Sequence, residues 1–183
     1  MKRTLTYAFI CILSAVVLLA SCEKDTDTLF ANQEKAIDSY VTSFLKANPD
    51  AKVVYKNKVV RLVAAEGSGA DSLRSKGKAT VYYAGYTFSG GFTKNSLFAT
   101  NQEDIAKDAG WTLSGEENYA PIQIDMDSDG LVSGLRRGLE GVKAGEECLI
   151  LISGKYGFGK RKIGTIPANS ALAYHVWVVS LDE

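Results

Sequence analysis

The chain has 183 residues, enough for one domain with additional segments. Its hydrophobic fraction of 46% and charged fraction of 23% are ordinary for a globular protein, so a buried core is expected. The 21 basic side chains are balanced by 21 acidic ones and form no long basic run, so a nucleic-acid-binding surface is not expected.

Residues 1–21 have the pattern of an export signal rather than of a folded segment. Two basic residues precede the apolar run Leu5 to Ala20, which is too short for a comfortable transmembrane span. The run ends in Leu19-Ala20-Ser21-Cys22, which resembles the lipobox where bacterial lipoproteins are cut before an acylated cysteine. We therefore expect a lipid on Cys22 that anchors the chain in a bacterial cell envelope, facing the periplasm or the cell surface. The alternative is a plain secretory signal with an incidental cysteine.

This cleavage would change the charge and the cysteine content of the chain. Removal of residues 1–21 leaves 19 basic and 21 acidic side chains, a net charge of −2. If Cys22 carries a lipid, Cys148 is the one thiol left, and no intramolecular disulfide is possible. Cys148 begins an apolar run, which predicts a buried small side chain rather than a nucleophile.

The next segment, residues 22–54, is predicted to be a tether followed by an N-terminal helix. Glu23 to Thr28 is short and polar, and we interpret it as the tether. From Leu29 to Lys46 the apolar residues fall near helical spacing, and Asn48-Pro49 would end the helix. Such a helix would pack on its own domain, pair with a second copy or support another partner, and the sequence leaves these alternatives open.

The remaining segments indicate several strands and few helices. The loop-like stretch 89–117 contains one possible short helix, near residues 101–109. A second short helix is predicted over 131–141 from leucine and valine residues at helical offsets. Strands are predicted over residues 58–64, 78–88, 121–126, 147–153 and 171–181. Because strands and helices do not alternate, the pattern predicts an antiparallel α+β domain.

Four motifs, in this order, resemble the FKBP-type peptidyl-prolyl isomerases. The first is a strand that ends in Tyr-x-Gly, at Gly77 to Gly85. The second is a helix and turn at Gly134 to Glu146, and the third is an aromatic loop at Lys155 to Gly159. The fourth is an Ile-Pro pair before the last strand, within Gly164 to Ser170. The resemblance covers residues 55–183, which we take as the isomerase domain.

The resemblance implies a twisted antiparallel sheet wrapped over one short helix, with an apolar cleft between them. It implies isomerisation of X–Pro bonds in polypeptide clients, without a cofactor or a metal. The oligomeric state is left open. The cleft positions that carry over from the family are Tyr83, Phe98, Ile122, Leu131, Val132, Leu135, Phe158, Ile166 and Tyr174. Of these, Val132 would offer the backbone N–H that meets the substrate.

The chain departs from the family pattern at several cleft positions. Ala99 stands where the family usually has an aspartate, Leu135 replaces a tryptophan, and Phe158 lacks the hydroxyl of the usual tyrosine. Ile122 replaces an aromatic residue, and the loop before Ile166 is one residue shorter than the common form. An alternative hypothesis is therefore that the domain is degenerate and binds extended apolar segments without turnover, as a chaperone or assembly component. A third hypothesis is a structural or adhesion module.

Asp125 to Gly130, with the letters DMDSDG, begins like a calcium loop of the EF-hand kind. The twelfth position of such a loop requires a bidentate glutamate, and here it is Arg136. We therefore interpret the stretch as the turn that delivers Leu131 and Val132 to the cleft, with Ser128 or Asp129 capping the helix that follows.

The one histidine, His175, follows Tyr174 in the last predicted strand. Side chains alternate between the two faces of a strand, so His175 is expected to point away from a cleft that Tyr174 faces. A catalytic role for this imidazole is not expected.

Overall fold

The computed structural model describes residues 2–111 and 119–182, with side chains from residue 25 onward. The helices are α1 (Lys2–Ala47), α2 (Glu103–Asp108) and α3 (Ser133–Leu139). The strands are β1 (Lys52–Lys56), β2 (Val59–Ala65), β3 (Lys78–Thr87), β4 (Leu97–Thr100), β5 (Ile122–Asp125), β6 (Glu147–Ile152) and β7 (Leu172–Asp182).

These strands form one antiparallel sheet. Its order is β1-β2-β6-β7-β3-β4, and β5 also pairs with β3, alongside residues 78–81. The long strands β3 and β7 are paired over almost their whole length, with Tyr83 opposite Val176. The predicted antiparallel α+β class is thereby confirmed.

The inner face of the sheet holds the main core around α3. Leu172, Tyr174 and Val176 of β7 point to this face, as the alternation of a strand requires. They pack with Leu135 and Leu139 of α3, and burying each such side chain contributes about 1.5–3 kcal/mol. Cys148 belongs to this core and is completely buried, in line with its predicted role as a small apolar side chain.

Two glycines let α3 lie close to the sheet. A Cβ on Gly134 would collide with Ile152, and a Cβ on Gly138 would collide with Ile150. The glycines of the segment Gly134-Leu135-Arg136-Arg137-Gly138 therefore form the part of the helix surface that lies against β6. Their spacing of four residues places both on one side of it.

The outer face of the sheet is covered by α1. Ile37 and Val41 are buried against Val60, Leu62 and their neighbours on β6 and β7. An aromatic cluster extends this contact, with Tyr40 edge-on to Phe88 at 5.5 Å between ring centroids. The helix predicted over 29–46 is confirmed, and of the three alternatives the structure shows packing on its own domain.

The structure corrects several sequence-based expectations. α1 runs without a break through residues 25–28, so the prediction of a non-helical tether from Glu23 to Thr28 is wrong. The segment contains no glycine or proline that would stop the helix. Strands β1 and β4 were not predicted, and β1 begins at Lys52.

The predicted signal peptide 1–21 and the predicted lipid site Cys22 lie outside the residues whose side chains are described. None of the helices among the described residues has the length and apolar character needed to cross a membrane.

Candidate active site

A cleft of about 270 Å³ opens on the inner face, between the start of α3 and strands β3, β4, β5 and β7. It is lined by Tyr83, Phe98, Ala99, Ile122, Ile124, Gly130, Leu131, Val132, Leu135, Phe158, Tyr174 and Val176. Eight of the nine predicted cleft residues are in this set. Ile166 is the exception: it does not line the cleft and lies in the adjoining core with 4% exposure.

The structure adds residues that the sequence prediction did not include. Ile124 and Val176 line the cleft because they lie two residues from Ile122 and Tyr174 on the same strand faces. That period of two was a usable signal. Ala99 lines the cleft as well, with a methyl group at the position where the family resemblance implies a carboxylate.

The Tyr-x-Gly motif has a packing reason. Phe98 and Tyr174 meet edge to face across the cleft wall, with ring centroids 5.8 Å apart. A Cβ on Gly85 would lie 2.7 Å from two ring carbons of Phe98 and 3.3 Å from the Tyr174 ring. Gly85 therefore leaves the space into which the Phe98 ring fits.

Tyr83 is fixed by a buried asparagine that the sequence prediction missed. The Tyr83 N–H donates to Asn101 Oδ1 at 2.7 Å, and the Tyr83 carbonyl accepts from the Thr100 hydroxyl at 2.8 Å. The Asn101 amide also donates to the Ala120 carbonyl at 2.9 Å, which joins β3 to the segment before β5. Asn101 is 4% exposed, and no periodic pattern in the surrounding loop sequence indicates this burial.

Val132, at the start of α3, lines the cleft and keeps its backbone donor free. Within the described residues no acceptor takes the Val132 N–H, whereas the Gly134 N–H donates to the Tyr156 carbonyl at 2.9 Å. The expected cap by Ser128 or Asp129 is wrong, because the residue before the helix is Val132 and no side chain caps it. The aromatic loop takes that place through Tyr156.

The turn before α3 is held by its own hydrogen bonds and by cations. The Asp127 N–H donates to Asp125 Oδ1 at 2.8 Å, and Lys78 Nζ lies 3.5 Å from the other oxygen of Asp125. Arg136 donates to the Ser128 carbonyl at 2.6 Å. Across the described residues no group of three or more His, Cys, Asp or Glu side chains is arranged to hold a metal ion.

The far end of α3 is held by Arg61, a charged residue in the apolar strand β2. Its guanidinium donates to the Gly138 carbonyl at 2.9 Å and to the Glu140 carbonyl at 3.1 Å. Glu146 Oε1 lies 3.3 Å from Arg61 Nε, and both side chains are at most 7% exposed. Burial raises the pKa of Glu146, and the nearby Arg61 charge partly offsets that shift. The signal was an arginine within Val59-Val60-Arg61-Leu62-Val63, and sequence reasoning did not use it.

Among the described residues that line the cleft, none is an acid–base or nucleophilic side chain that titrates near neutral pH. Burial raises the pKa of Tyr83 and of Tyr174, so both phenols stay neutral donors. His175 is not part of the described lining; its Nε2 lies 2.8 Å from Glu147 Oε1 and its ring packs on Trp177. The arrangement suits binding and twisting of an apolar peptide unit better than bond cleavage.

Comparison with known proteins identifies the class to which this fold and cleft belong. The model of the FKBP-type peptidyl-prolyl cis-trans isomerases matches residues 71–179, more than half of the chain. FK506-binding protein 1 of Aspergillus oryzae is 26% identical over 124 residues, which cover 68% of this chain and 98% of the fungal one.

Solved structures show the same fold at low sequence identity. FkpA from Escherichia coli is similar with a TM-score of 0.57 and 22% identity, over 99% of this chain and 71% of that one. The three FKBP domains of wheat FKBP73 are similar with a TM-score of 0.54 and 21% identity over 72% of this chain, which spans 50% of the wheat structure. The chain belongs to the FKBP-type peptidyl-prolyl cis-trans isomerase family, and it is an isomerase.

Proposed function

We propose that this isomerase acts on X–Pro bonds of bacterial envelope proteins, as a foldase anchored by a lipid on Cys22. The observation that supports the reaction is the cleft itself, with aromatic walls and the free Val132 N–H at one edge. Ile122 at its rim is 41% exposed, which gives an incoming chain an apolar surface to contact.

Rotation of a peptide bond is slow because resonance gives it partial double-bond character, with a barrier of about 18–20 kcal/mol. The two isomers of an X–Pro bond are close in energy, yet exchange takes tens to hundreds of seconds. The planar amide is the more polar state, so a dry aromatic cleft favours the twisted amide over the planar one. The Val132 N–H would then donate to a substrate carbonyl and hold the bound chain in place.

The departures from the family pattern lower the expected rate without removing the cleft. Ala99 and Phe158 each present apolar surface where the family has a polar group, and a lost hydrogen-bonding group weakens binding by about 1–3 kcal/mol. Tyr83 and Tyr174 keep their hydroxyls. We therefore propose slow turnover of proline peptides and a larger loss for macrocyclic ligands.

The envelope location is supported by the sequence pattern of residues 1–22, with its apolar run and terminal cysteine. A lipid anchor would keep the isomerase beside newly exported chains, which are its proposed clients. Labelling with a radioactive fatty acid tests the anchor. The wild type should be labelled and found in the membrane fraction, whereas Cys22→Ala should be unlabelled and absent from that fraction. Protease treatment of intact cells then separates a surface location from a periplasmic one.

The activity is tested with a refolding substrate whose rate is limited by one proline. Micromolar protein should accelerate refolding, and Phe158→Ala should abolish the acceleration because it removes a cleft wall. Tyr55→Ala is the matched control, since Tyr55 lies on β1 with 65% exposure and outside the cleft lining. No acceleration by the wild type would contradict the proposal. Binding of extended apolar segments in that case would favour the binding-only alternative.

A further inference from the structure

Gln33 of α1 makes two hydrogen bonds to backbone groups that are far away in the sequence. The Gly154 N–H donates to Gln33 Oε1 at 2.8 Å, and Gln33 Nε2 donates to the Asn169 carbonyl at 2.7 Å. By contrast, the Ser39 and Thr42 hydroxyls donate to carbonyls one turn earlier in the same helix. Gln33 thus joins α1 to the aromatic loop, whose Phe158 lines the cleft, and to the segment just before β7.

The bonds of Gln33 close a ring around the base of the aromatic loop. The Asn169 N–H donates to the Gly159 carbonyl at 2.6 Å, and the Gly159 N–H donates to the Gly154 carbonyl at 3.2 Å. The ring therefore runs from Gln33 through Gly154, Gly159 and Asn169 back to Gln33. Phe158, a wall of the cleft, immediately precedes Gly159 in this loop.

The base of this loop is tightly packed. Gly154 is buried, and a Cβ there would collide with the Asn169 carbonyl and lie 3.1 Å from the Phe30 ring. Asn169 itself has a φ of 58°, which side-chain-bearing residues rarely adopt. A buried N–H such as that of Gly154 requires an acceptor, and Gln33 provides it.

The same loop also contacts α3. The Tyr156 carbonyl accepts from the Gly134 N–H at 2.9 Å and from the Ser133 hydroxyl at 3.2 Å. Arg137 of α3 lies over the Tyr156 ring, 4.8 Å from its centroid. A shift of the loop would therefore move Phe158 and also disturb the helix start that carries the Val132 N–H.

We propose that Gln33 is a positioning residue for the isomerase cleft, an inference that rests on the proposed function. α1 covers the opposite face of the sheet, and Gln33 lies outside the segment 71–179 that matches the family. Its carboxamide fixes the loop that carries Phe158, and through Tyr156 that loop fixes the start of α3. The N-terminal helix then contributes to catalysis without touching the substrate.

The first test compares Gln33→Ala with Ile37→Val. Gln33→Ala should lower kcat/KM by about tenfold, since a displacement of about 1 Å in a positioned group costs up to about 10²-fold. Ile37→Val loosens the packing of the same helix one turn later, and its kcat/KM should equal that of the wild type. Equal losses in both variants, at a temperature where both are folded, would overturn the proposal.

The second test is the conservative variant Gln33→Glu, assayed by proline-limited refolding at pH 8 and at pH 4, which lies below the usual glutamate pKa of about 4.3. A protonated carboxyl accepts one hydrogen bond and donates one, so it reproduces both bonds of the carboxamide, whereas a carboxylate only accepts. The activity of Gln33→Glu relative to the wild type at the same pH should therefore recover as the pH falls. A pH-independent ratio would contradict the proposed bonding.

A readout that does not depend on turnover separates this inference from the proposed function. Amide hydrogen exchange at Gly154, Gly159 and Asn169 should become at least about tenfold faster in Gln33→Ala and stay unchanged in Ile37→Val. If the wild type lacks isomerase activity, the proposed function fails, and hydrogen exchange alone decides whether Gln33 holds the loop in place. Faster exchange then supports it, and unchanged exchange overturns it.

Discussion

The two faces of the sheet are built from the same strands, yet one has an open cleft and the other is covered. On the inner face, α3 has only seven residues, a length of about 10 Å, and it packs on β2 and β6. The end of the sheet made by β3, β4 and β5 therefore stays uncovered there and becomes the cleft. On the outer face the long helix α1 buries Ile37 and Val41. The length of the covering helix, more than the composition of the strands, distinguishes the two faces.

The faces also differ in how they are held together. The inner face keeps α3 in place with a buried charged residue, Arg61, beside Glu146. The outer face relies on apolar side chains, with partly exposed polar groups such as His175 and Glu147 at its uncovered end. The inner arrangement is sensitive to the loss of one partner, whereas the outer one is sensitive to the loss of volume.

The largest effect is expected from Arg61→Met on the inner side. This change leaves the Glu146 carboxylate buried without its partner and frees the carbonyls at the end of α3, so the free energy of unfolding should fall by about 3–5 kcal/mol. Urea denaturation measures this. The double variant with Glu146→Met should recover part of the loss. A loss below about 1 kcal/mol in the single variant would show that the pair does not stabilise the inner face.

Ile37→Ala tests the outer face and should destabilise the protein by about 2–5 kcal/mol through the cavity it leaves. Because Ile37 belongs to the apolar cluster of the outer face and not to the described cleft lining, kcat/KM of the folded fraction should not change. Ser39→Ala, an exposed position on the same helix, is the control and should leave the denaturation midpoint within error. If Ile37→Ala lowered the free energy of unfolding no more than Ser39→Ala does, the packing of α1 would not stabilise the sheet.

Gly85→Ala tests the cleft with a single added methyl group. The new Cβ would overlap the Phe98 ring, so the free energy of unfolding should fall by about 1–3 kcal/mol and the isomerase activity should be lost. Gly91→Ala is the matched control, since no described residue other than its chain neighbours comes within 4 Å of a Cβ placed there. Full activity in Gly85→Ala, measured by proline-limited refolding, would show that the position of Phe98 does not matter.

The smallest effect is expected at the uncovered end of the outer face. Burial lowers the pKa of His175, and the Glu147 carboxylate opposes this shift without cancelling it. Between the lowered value in the folded protein and the usual value of about 6.5, the unfolded chain binds more protons, so stability is lost as the pH falls through that window. His175→Gln should flatten this dependence in urea denaturation between pH 7.5 and pH 5. If the free energy of unfolding depended on pH with the same slope in the wild type and in His175→Gln, the lowered pKa of His175 would be contradicted.

Much of the fold was predictable because its signals are local. The valine-rich runs gave strands, the spacing of Leu131, Leu135 and Leu139 gave a helix, and proline at position 49 gave the end of α1. Strands β1 and β4 were missed because they are short, and what defines them is pairing with β2 and β3 rather than a pattern of their own.

For the cleft, the motif order indicated eight of its lining residues, but not the residues that hold them. Asn101, Arg61 and Gln33 act through hydrogen bonds to backbone groups 18 to 136 positions away. Nothing in the residue type or the local spacing of a polar side chain indicates such a partner. Ile166 was assigned to the cleft by resemblance, whereas the structure buries it in the core, with a β-bridge to Ile163 in the loop before it.

The sequence by itself determined the alternating strands, the helix face and the glycines that permit close packing, because steric fit and hydrophobic periodicity act between near neighbours. Only the tertiary structure decided which face stays open, what holds each end of α3 and how α1 reaches the loop that carries Phe158. These features depend on contacts between distant segments, whose partners exist only once the sheet has brought the chain together.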